Sequence, residues 1–323
     1  MSPLPKHSWS LKYLRLRAIA IFIHILTRSL LTLGMYFRDP EYLRRYQVNR
    51  KRMLVPSREK GRMIKVDVYA PNKGTSKPSP VHVNWHGSGF VVPCFGADTE
   101  ICAYLASHLG CIVLDADYRK APQNPFPAAP QDALDVCLYV LAHPELYDLK
   151  KISLGGCSAG GSIALAAAAS LGPEKINAVC TIAPATDFRM QSGPRKARDA
   201  GRHRSALPPW ATRFFGVCYV TPQTDRADPL LSVVLAPTSS FPNTVYIATG
   251  TGDTLYFDAS NLIEKLRSEK HPNAQFRPVE GAGHAFEKFN TQDPNNIAFV
   301  IFQEIISTIR GSWNANRGNG PKL

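Results

Sequence analysis

The chain has 323 residues, 44% of them hydrophobic and 20% charged, a balance that excludes disorder and predicts a substantial core in one large domain or two ordinary ones. Most of its net charge of +13 lies in residues 1–60, where 13 Lys/Arg stand against Asp39, Glu41 and Glu59. Neither this segment nor a second basic run, Arg189 to Arg204, has the aromatic interleaving or fold signature of a nucleic-acid module, which leaves a solvated face as the favoured reading and an anionic membrane surface or acidic ligand as the alternative.

Residues 1–50 stand apart. The apolar run Ala18 to Thr27 is broken by Arg28 and resumes from Ser29 to Phe37. It is long enough to span a bilayer, but a central arginine costs about 2.5–3.5 kcal/mol on insertion scales. A helix packed on the protein's own body is therefore favoured over an interfacial or signal-anchor helix. A cleaved signal ranks last, because no small-x-small site follows cleanly.

From residue 61 the pattern becomes alternating strands and helices. Met63 to Tyr69 alternates like a half-buried strand, Pro71 to Pro80 is a loop, and Val81 to Trp85 is a strand running into His86-Gly87-Ser88-Gly89-Phe90. Ala97 to Leu109 reads as a helix and Cys111 to Asp115 as a buried strand. A proline-rich turn then leads to a helix at about 128–142. The Ile152 strand, an alanine-rich helix from Ile163 and the strand Ile176 to Ile182 follow. Residues 188–222 break the rhythm, first basic, then aromatic. Thr244 to Ala248, a helix at about 258–269, a strand at Gln275 to Val279 and a helix at about 294–310 restore it. The tail 311–323 reads as flexible. Helix-length crossovers between successive strands predict an α/β fold with a mostly parallel sheet covered on both faces.

Cysteines 94, 102, 111, 137, 157, 180 and 218 form no C-x-x-C pair and lie mostly in apolar stretches. Reduced core thiols in an intracellular protein are expected, with no disulfide framework and no zinc site.

Within this alternation, Gly156-Cys157-Ser158-Ala159-Gly160 lies between a strand and a helix. Glycines two before and two after the serine let the chain turn sharply and expose its hydroxyl at a helix N-terminus. A serine needs a base, and the base needs an orienting carboxylate. Asp253 follows the Thr244 strand through Thr249-Gly-Thr-Gly252, and His284 follows the Gln275 strand through Glu280-Gly-Ala-Gly283. Asp258 rivals Asp253 but suits a helix N-cap, and His24 and His82 lie within apolar elements. The order Ser158, Asp253, His284 is that of an α/β-hydrolase triad. The loop Gly87-Ser88-Gly89 and the Ala159 N–H are the candidate oxyanion hole. Phe90, Trp210, Phe214 and Phe215 are the candidate lining of an apolar or aromatic substrate pocket.

Together, His86-Gly-Ser-Gly-Phe90, Asp117-Tyr-Arg-Lys-Ala-Pro-Gln123 with Phe126-Pro127 and Asp132, Gly156-Cys-Ser-Ala-Gly-Gly161, Asp228-Pro-Leu-Leu-Ser232, Asp253 and Gly283-His-Ala-Phe286 resemble the hormone-sensitive-lipase-like family of α/β-hydrolases over roughly residues 60–310. The resemblance implies a carboxylic-ester hydrolase without metal or organic cofactor. It also implies a catalytic domain at 51–310, and a cap built from residues 1–50 and an insertion at about 188–222. The N–H groups of Ser88, Gly89 and Ala159 would be the main oxyanion donors. Ser88, Cys157, Lys120 and Gln123 depart from the family pattern, which usually has Gly, Asp or Thr, Leu and Glu there. A small-molecule ester is the expected partner, with homodimer formation and membrane contact through the N-terminal helix left open. The alternatives are acyl transfer or cyclisation on a specialised metabolite, or a binding protein on the same fold. Retention of His284 argues against the last.

Overall fold

The computed structural model describes residues 10–189, 197–199, 208–288 and 296–315. Helix α1 (Leu11–Arg45) starts at Ser10, whose side-chain oxygen accepts from the Tyr13 N–H at 3.2 Å, and ends with Arg44 and Arg45 against the negative end of its dipole. Strands β1 (Val48–Pro56), β2 (Met63–Pro71) and β3 (Ser79–Trp85) follow, then α2 (Thr99–Leu109), β4 (Ile112–Ala116), α3 (Ala128–Leu141) and β5 (Tyr147–Cys157). The chain continues through α4 (Ala159–Leu171), β6 (Ala178–Ile182), α5 (Pro209–Tyr219), β7 (Thr244–Gly250), α6 (Tyr256–Ser268), β8 (Ala274–Val279) and α7 (Ile297–Ala315).

The strands form one eight-stranded sheet in the order β1-β2-β4-β3-β5-β6-β7-β8. β2 is antiparallel to both its neighbours, and the pairs from β4 to β8 are parallel. Alternate residues serve two cores: Val245 and Ile247 of β7 join a cluster with α3, α4 and α6, whereas Tyr246 and Ala248 join one with α2 and α7. After β4 the chain returns to the far side of β3 to lay down β5, so the order reverses between β3 and β5. The crevice at the carboxyl ends of strands flanking such a reversal is where open α/β sheets bind ligands.

Two boundaries differ from the sequence expectation. The N-terminal helical segment was expected over residues 1–50, but α1 stops at Arg45 and Val48 already begins β1. This edge strand hides behind its cations, because Arg50 pairs with Asp39 at 2.5 Å and Arg52 grips Asp67 with bonds of 2.7 and 2.9 Å. The tail expected to be flexible over 311–323 is helical as far as Ala315, with Trp313 buried against the α2–α7 core. Residues 316–323 lie outside the described residues, as do 190–196 and 200–207 of the expected cap insertion.

Candidate active site

Ser158 joins β5 to α4 with φ 51° and ψ −120°, a left-handed backbone that an L-residue adopts only when its surroundings enforce it. Its N–H donates to the Ile182 carbonyl of β6 at 2.7 Å, and its own carbonyl accepts from the Ser162 N–H at 3.0 Å. The tightness of the turn rests on Gly160, where a Cβ would lie 1.8 Å from the Trp85 carbonyl oxygen. Sequence and strain thus agree: the helix can approach β3 this closely only without a side chain.

Two loops at the same sheet edge meet Ser158. The β7 loop carries Asp253 and the β8 loop carries His284, and Gly252 N–H to Ala282 carbonyl (2.9 Å) and Gly281 N–H to Thr251 Oγ1 (3.0 Å) tie them together. Asp253 is fully buried; one carboxylate oxygen accepts from the Leu255 N–H at 2.9 Å and the other lies 2.8 Å from His284 Nδ1. A carboxylate acceptor fixes the proton on Nδ1, leaving Nε2 to accept from the Ser158 hydroxyl at 3.0 Å. Burial alone would depress the His284 pKa, but the charge and hydrogen bond of Asp253, with a further contribution from Glu287, outweigh it and hold the imidazole above its ordinary value. The rival Asp258 is engaged elsewhere, accepting from the Thr186 N–H at 3.0 Å. His82 is buried against Ser153 Oγ at 2.9 Å, and His24 Nε2 lies 2.7 Å from the Val91 carbonyl.

The loop after β3 lies directly beside the nucleophile: a Cβ on Gly87 would stand 3.3 Å from Ser158 Cβ. Among the described residues the N–H groups of Ser88, Gly89 and Ala159 have no acceptor, so three donors beside Ser158 remain available to an oxyanion. The Ser88 hydroxyl, a departure from the family pattern, is tied off. It lies 2.6 Å from Tyr118 OH, which donates to the His86 carbonyl at 2.7 Å, so Ser88 must donate to Tyr118. Lys120, a second departure, is nearly buried and pairs with Asp117 at 2.7 Å, with its ammonium 3.5 Å from the Tyr118 ring centroid.

Aromatic side chains roof the loop. The Phe215 ring of α5 lies where a Cβ on Gly89 would be, at 2.4–2.7 Å, and Gly89 has φ +56°. Phe214 lies 6.0 Å from Phe215, centroid to centroid. Phe90 is occupied in packing: its ring stacks on Tyr219 at 3.8 Å and meets Phe188 edge-on at 5.9 Å, which fastens the end of α5 to the oxyanion loop. Trp210 departs from its expected place in the lining, being 68% exposed. It occupies the first turn of α5, whereas the helix enters the core through Cys218 and Tyr219 at its other end.

Three features behind the site escaped the sequence reading. Cys157 faces Glu287, and burial, with this carboxyl group, pushes its thiol pKa well up, so it is an inert neighbour of Ser158. Glu287 is itself buried and its Oε2 has no hydrogen-bond partner among the described residues. Lys288 Nζ, one residue on, meets buried Asp98 at 2.6 Å and pins the His284 loop to the start of α2. Asn84 bridges Asp98 (3.0 Å) and Asp115 (2.9 Å), and burial together with Asp98 holds the Asp115 carboxyl well above its ordinary pKa. The pair Glu287-Lys288 beside a late histidine was the available signal, but nothing local names its partners.

A nucleophile on a strained strand-to-helix turn, within reach of a histidine oriented by a buried carboxylate and flanked by free N–H donors, defines a serine hydrolase on a doubly covered α/β sheet. The chain belongs to the alpha/beta hydrolase fold family, whose sequence profile matches residues 82–288, in its hormone-sensitive-lipase-like branch. It is 26% identical over 246 residues to an AB hydrolase superfamily protein of Schizosaccharomyces pombe, covering 73% of this chain and 71% of that protein. It is 28% identical over 209 residues to the acetyl esterase of Salmonella paratyphi B, covering 62% of this chain and 63% of the esterase. An esterase from Pyrobaculum calidifontis shares the fold with a TM-score of 0.73 at 22% identity, over 92% of each chain. The protein is a carboxylesterase-like serine hydrolase with an N-terminal helical cap.

Proposed function

We propose that the enzyme hydrolyses carboxylic esters of small, apolar or aromatic substrates through an acyl-enzyme on Ser158. His284 Nε2 takes the Ser158 proton as Oγ attacks the ester carbonyl, and the oxyanion is held by the Ser88, Gly89 and Ala159 N–H groups. Collapse expels the alcohol, which takes the proton from His284. Water then gives a proton to His284 and attacks the acyl carbonyl, and release of the carboxylic acid restores Ser158. Asp253 stabilises the imidazolium that forms in both halves.

The observation that carries this reading is the unbroken chain from Ser158 Oγ through His284 to Asp253, at 3.0 and 2.8 Å. Phe215 lying on the oxyanion loop favours a short or flat apolar acyl group, and α1 and α5 serve as the cap over it. The relatives' activity on esters supports the reaction class. The seven free thiols support an intracellular location.

Ser158→Ala is expected to abolish p-nitrophenyl acetate turnover and fluorophosphonate labelling in folded protein, and a series from acetate to laurate to show kcat/KM falling as the chain lengthens. Wild-type turnover by Ser158→Ala would refute the mechanism, and a preference for laurate would refute the acyl assignment alone.

A further inference from the structure

Helix α1 is apolar on two opposite faces. Its inner face is bound to the catalytic body: Tyr13 and Ala20 are buried, His24 Nε2 lies 2.7 Å from the Val91 carbonyl, and the Met35 side chain fills the space where a Cβ on Gly96 would be. Its outer face exposes Leu11, Leu14, Phe22, Ile25, Leu33 and Tyr36, the last four by 60–75%. These positions recur in two series eleven residues apart, Leu11-Phe22-Leu33 and Leu14-Ile25-Tyr36. Eleven residues are close to three turns of an α-helix, so Leu11, Leu14, Phe22 and Ile25 share one side of the segment Leu11–Thr27, and after a 44° bend Leu33 and Tyr36 continue the series on the segment Thr32–Arg45.

The charges flanking this stripe have one sign. Lys12 and Arg15 are exposed near the start of α1, and Arg38 and Arg44 near its end. The acidic residues of the helix are engaged, Asp39 with Arg50 at 2.5 Å and Glu41 with Arg45 at 2.6 Å. An exposed apolar stripe with cations at both ends matches the acyl-chain boundary and anionic headgroups of a bilayer. A second copy matches it poorly: antiparallel pairing about a two-fold axis would bring Lys12 and Arg15 of each chain against Arg38 and Arg44 of the other. Insertion across the bilayer matches it poorly too. Among the described residues no single helix is long and apolar enough to cross a membrane; the bent pair Leu11–Thr27 and Thr32–Arg45 has the length and composition to do so, but a spanning α1 would strip Tyr13, Ala20 and His24 from the body.

We propose that the outer face of α1 docks in the plane of an anionic lipid surface, making this a peripheral membrane enzyme whose cap rests on the bilayer. The proposal is independent of the ester chemistry, since it is read by binding alone.

The test is flotation of the full-length protein with vesicles of phosphatidylcholine, with and without phosphatidylserine. At least a tenfold gain in bound fraction with phosphatidylserine is expected, reversed by high salt. The double variant Phe22→Asp, Ile25→Asp should lose at least tenfold of that binding while its turnover of soluble p-nitrophenyl acetate stays unchanged, because both side chains face away from the body. Lys12→Gln with Arg15→Gln should reduce the phosphatidylserine dependence without disturbing the apolar stripe. Failure to float with either vesicle, or equal flotation by wild type and the Phe22/Ile25 variant, overturns the proposal. So does resistance to alkaline carbonate extraction, which would assign the helix to a span. A dimer mass by light scattering that the same variant abolishes overturns it in favour of a second copy.

Discussion

Replacing Asp253 by Asn removes the charge that faces His284 while keeping size and most of the shape. Asp253 Oδ2 lies 2.8 Å from His284 Nδ1, which puts the centres of carboxylate charge and imidazolium charge about 4 Å apart once His284 has taken the Ser158 proton. At an effective dielectric constant of about 20 such a pair is worth about 4 kcal/mol, and that attraction exists only after proton transfer. Its loss slows acylation by about a thousandfold. A second loss arises because an amide can turn its NH2 toward Nδ1 and favour the wrong tautomer, which carries the expected fall in kcat to about 10^3–10^4-fold. The assay is kcat on p-nitrophenyl acetate with active sites counted by fluorophosphonate labelling after long exposure, so that dead protein is not scored as slow protein. Asp258→Asn is the matched comparison: its carboxylate accepts from the Thr186 N–H at 3.0 Å, so its loss should lower stability and leave kcat within a fewfold of wild type. A fall of less than tenfold for Asp253→Asn, or a larger fall for Asp258→Asn, would refute the assignment of the orienting acid.

Other perturbations probe the surroundings of the site. His284 must be neutral to act as base, so activity is lost as pH falls through its raised pKa; Glu287→Gln removes one of the groups that raise it and should move the acid limb of the kcat/KM profile to lower pH. An unmoved limb would show that Glu287 does not reach His284 electrostatically. Tyr118→Phe leaves the Ser88 hydroxyl and His86 carbonyl without their buried partner, and should cost about 1–3 kcal/mol in denaturant unfolding and lower kcat with little change in KM. Asp132→Ala removes the fully buried carboxylate that Arg119 and Arg62 share and leaves both with the more exposed Glu59, and should destabilise the fold by about 3 kcal/mol, read as a fall in the urea midpoint.

The parts of the site that could be read from the chain are those whose chemistry is local. Ser158, Asp253 and His284 each follow a strand through a glycine-bearing turn, and the turn advertises the position of its polar residue. Phe215 could be named as aromatic, but its seat on Gly89 could not, because it depends on where α5 enters the body. Tyr118 and Glu287 remained invisible for the same reason: Ser88 and Tyr118 are 30 residues apart, and nothing near Glu287 points to Cys157. β1 was missed because Arg50, Lys51 and Arg52 hide its alternation until Asp39 and Asp67 are placed beside them. The end of α7 was misread because Gly311 disfavours helix by about 1 kcal/mol, a cost that burial of Trp313 exceeds.

The ion pair of Lys288 with Asp98 joins residues 190 positions apart, and the bond of His284 with Ser158 spans 126. On the ribosome, then, the elbow emerges long before its base. A chain halted before residue 284 carries the serine hydroxyl without anything to take its proton, and one halted before 288 lacks the tether that seats the base. Prematurely terminated products of this gene are therefore inert toward esters even where their early strands have paired, and the appearance of activity during synthesis is a clock for completion of the sheet.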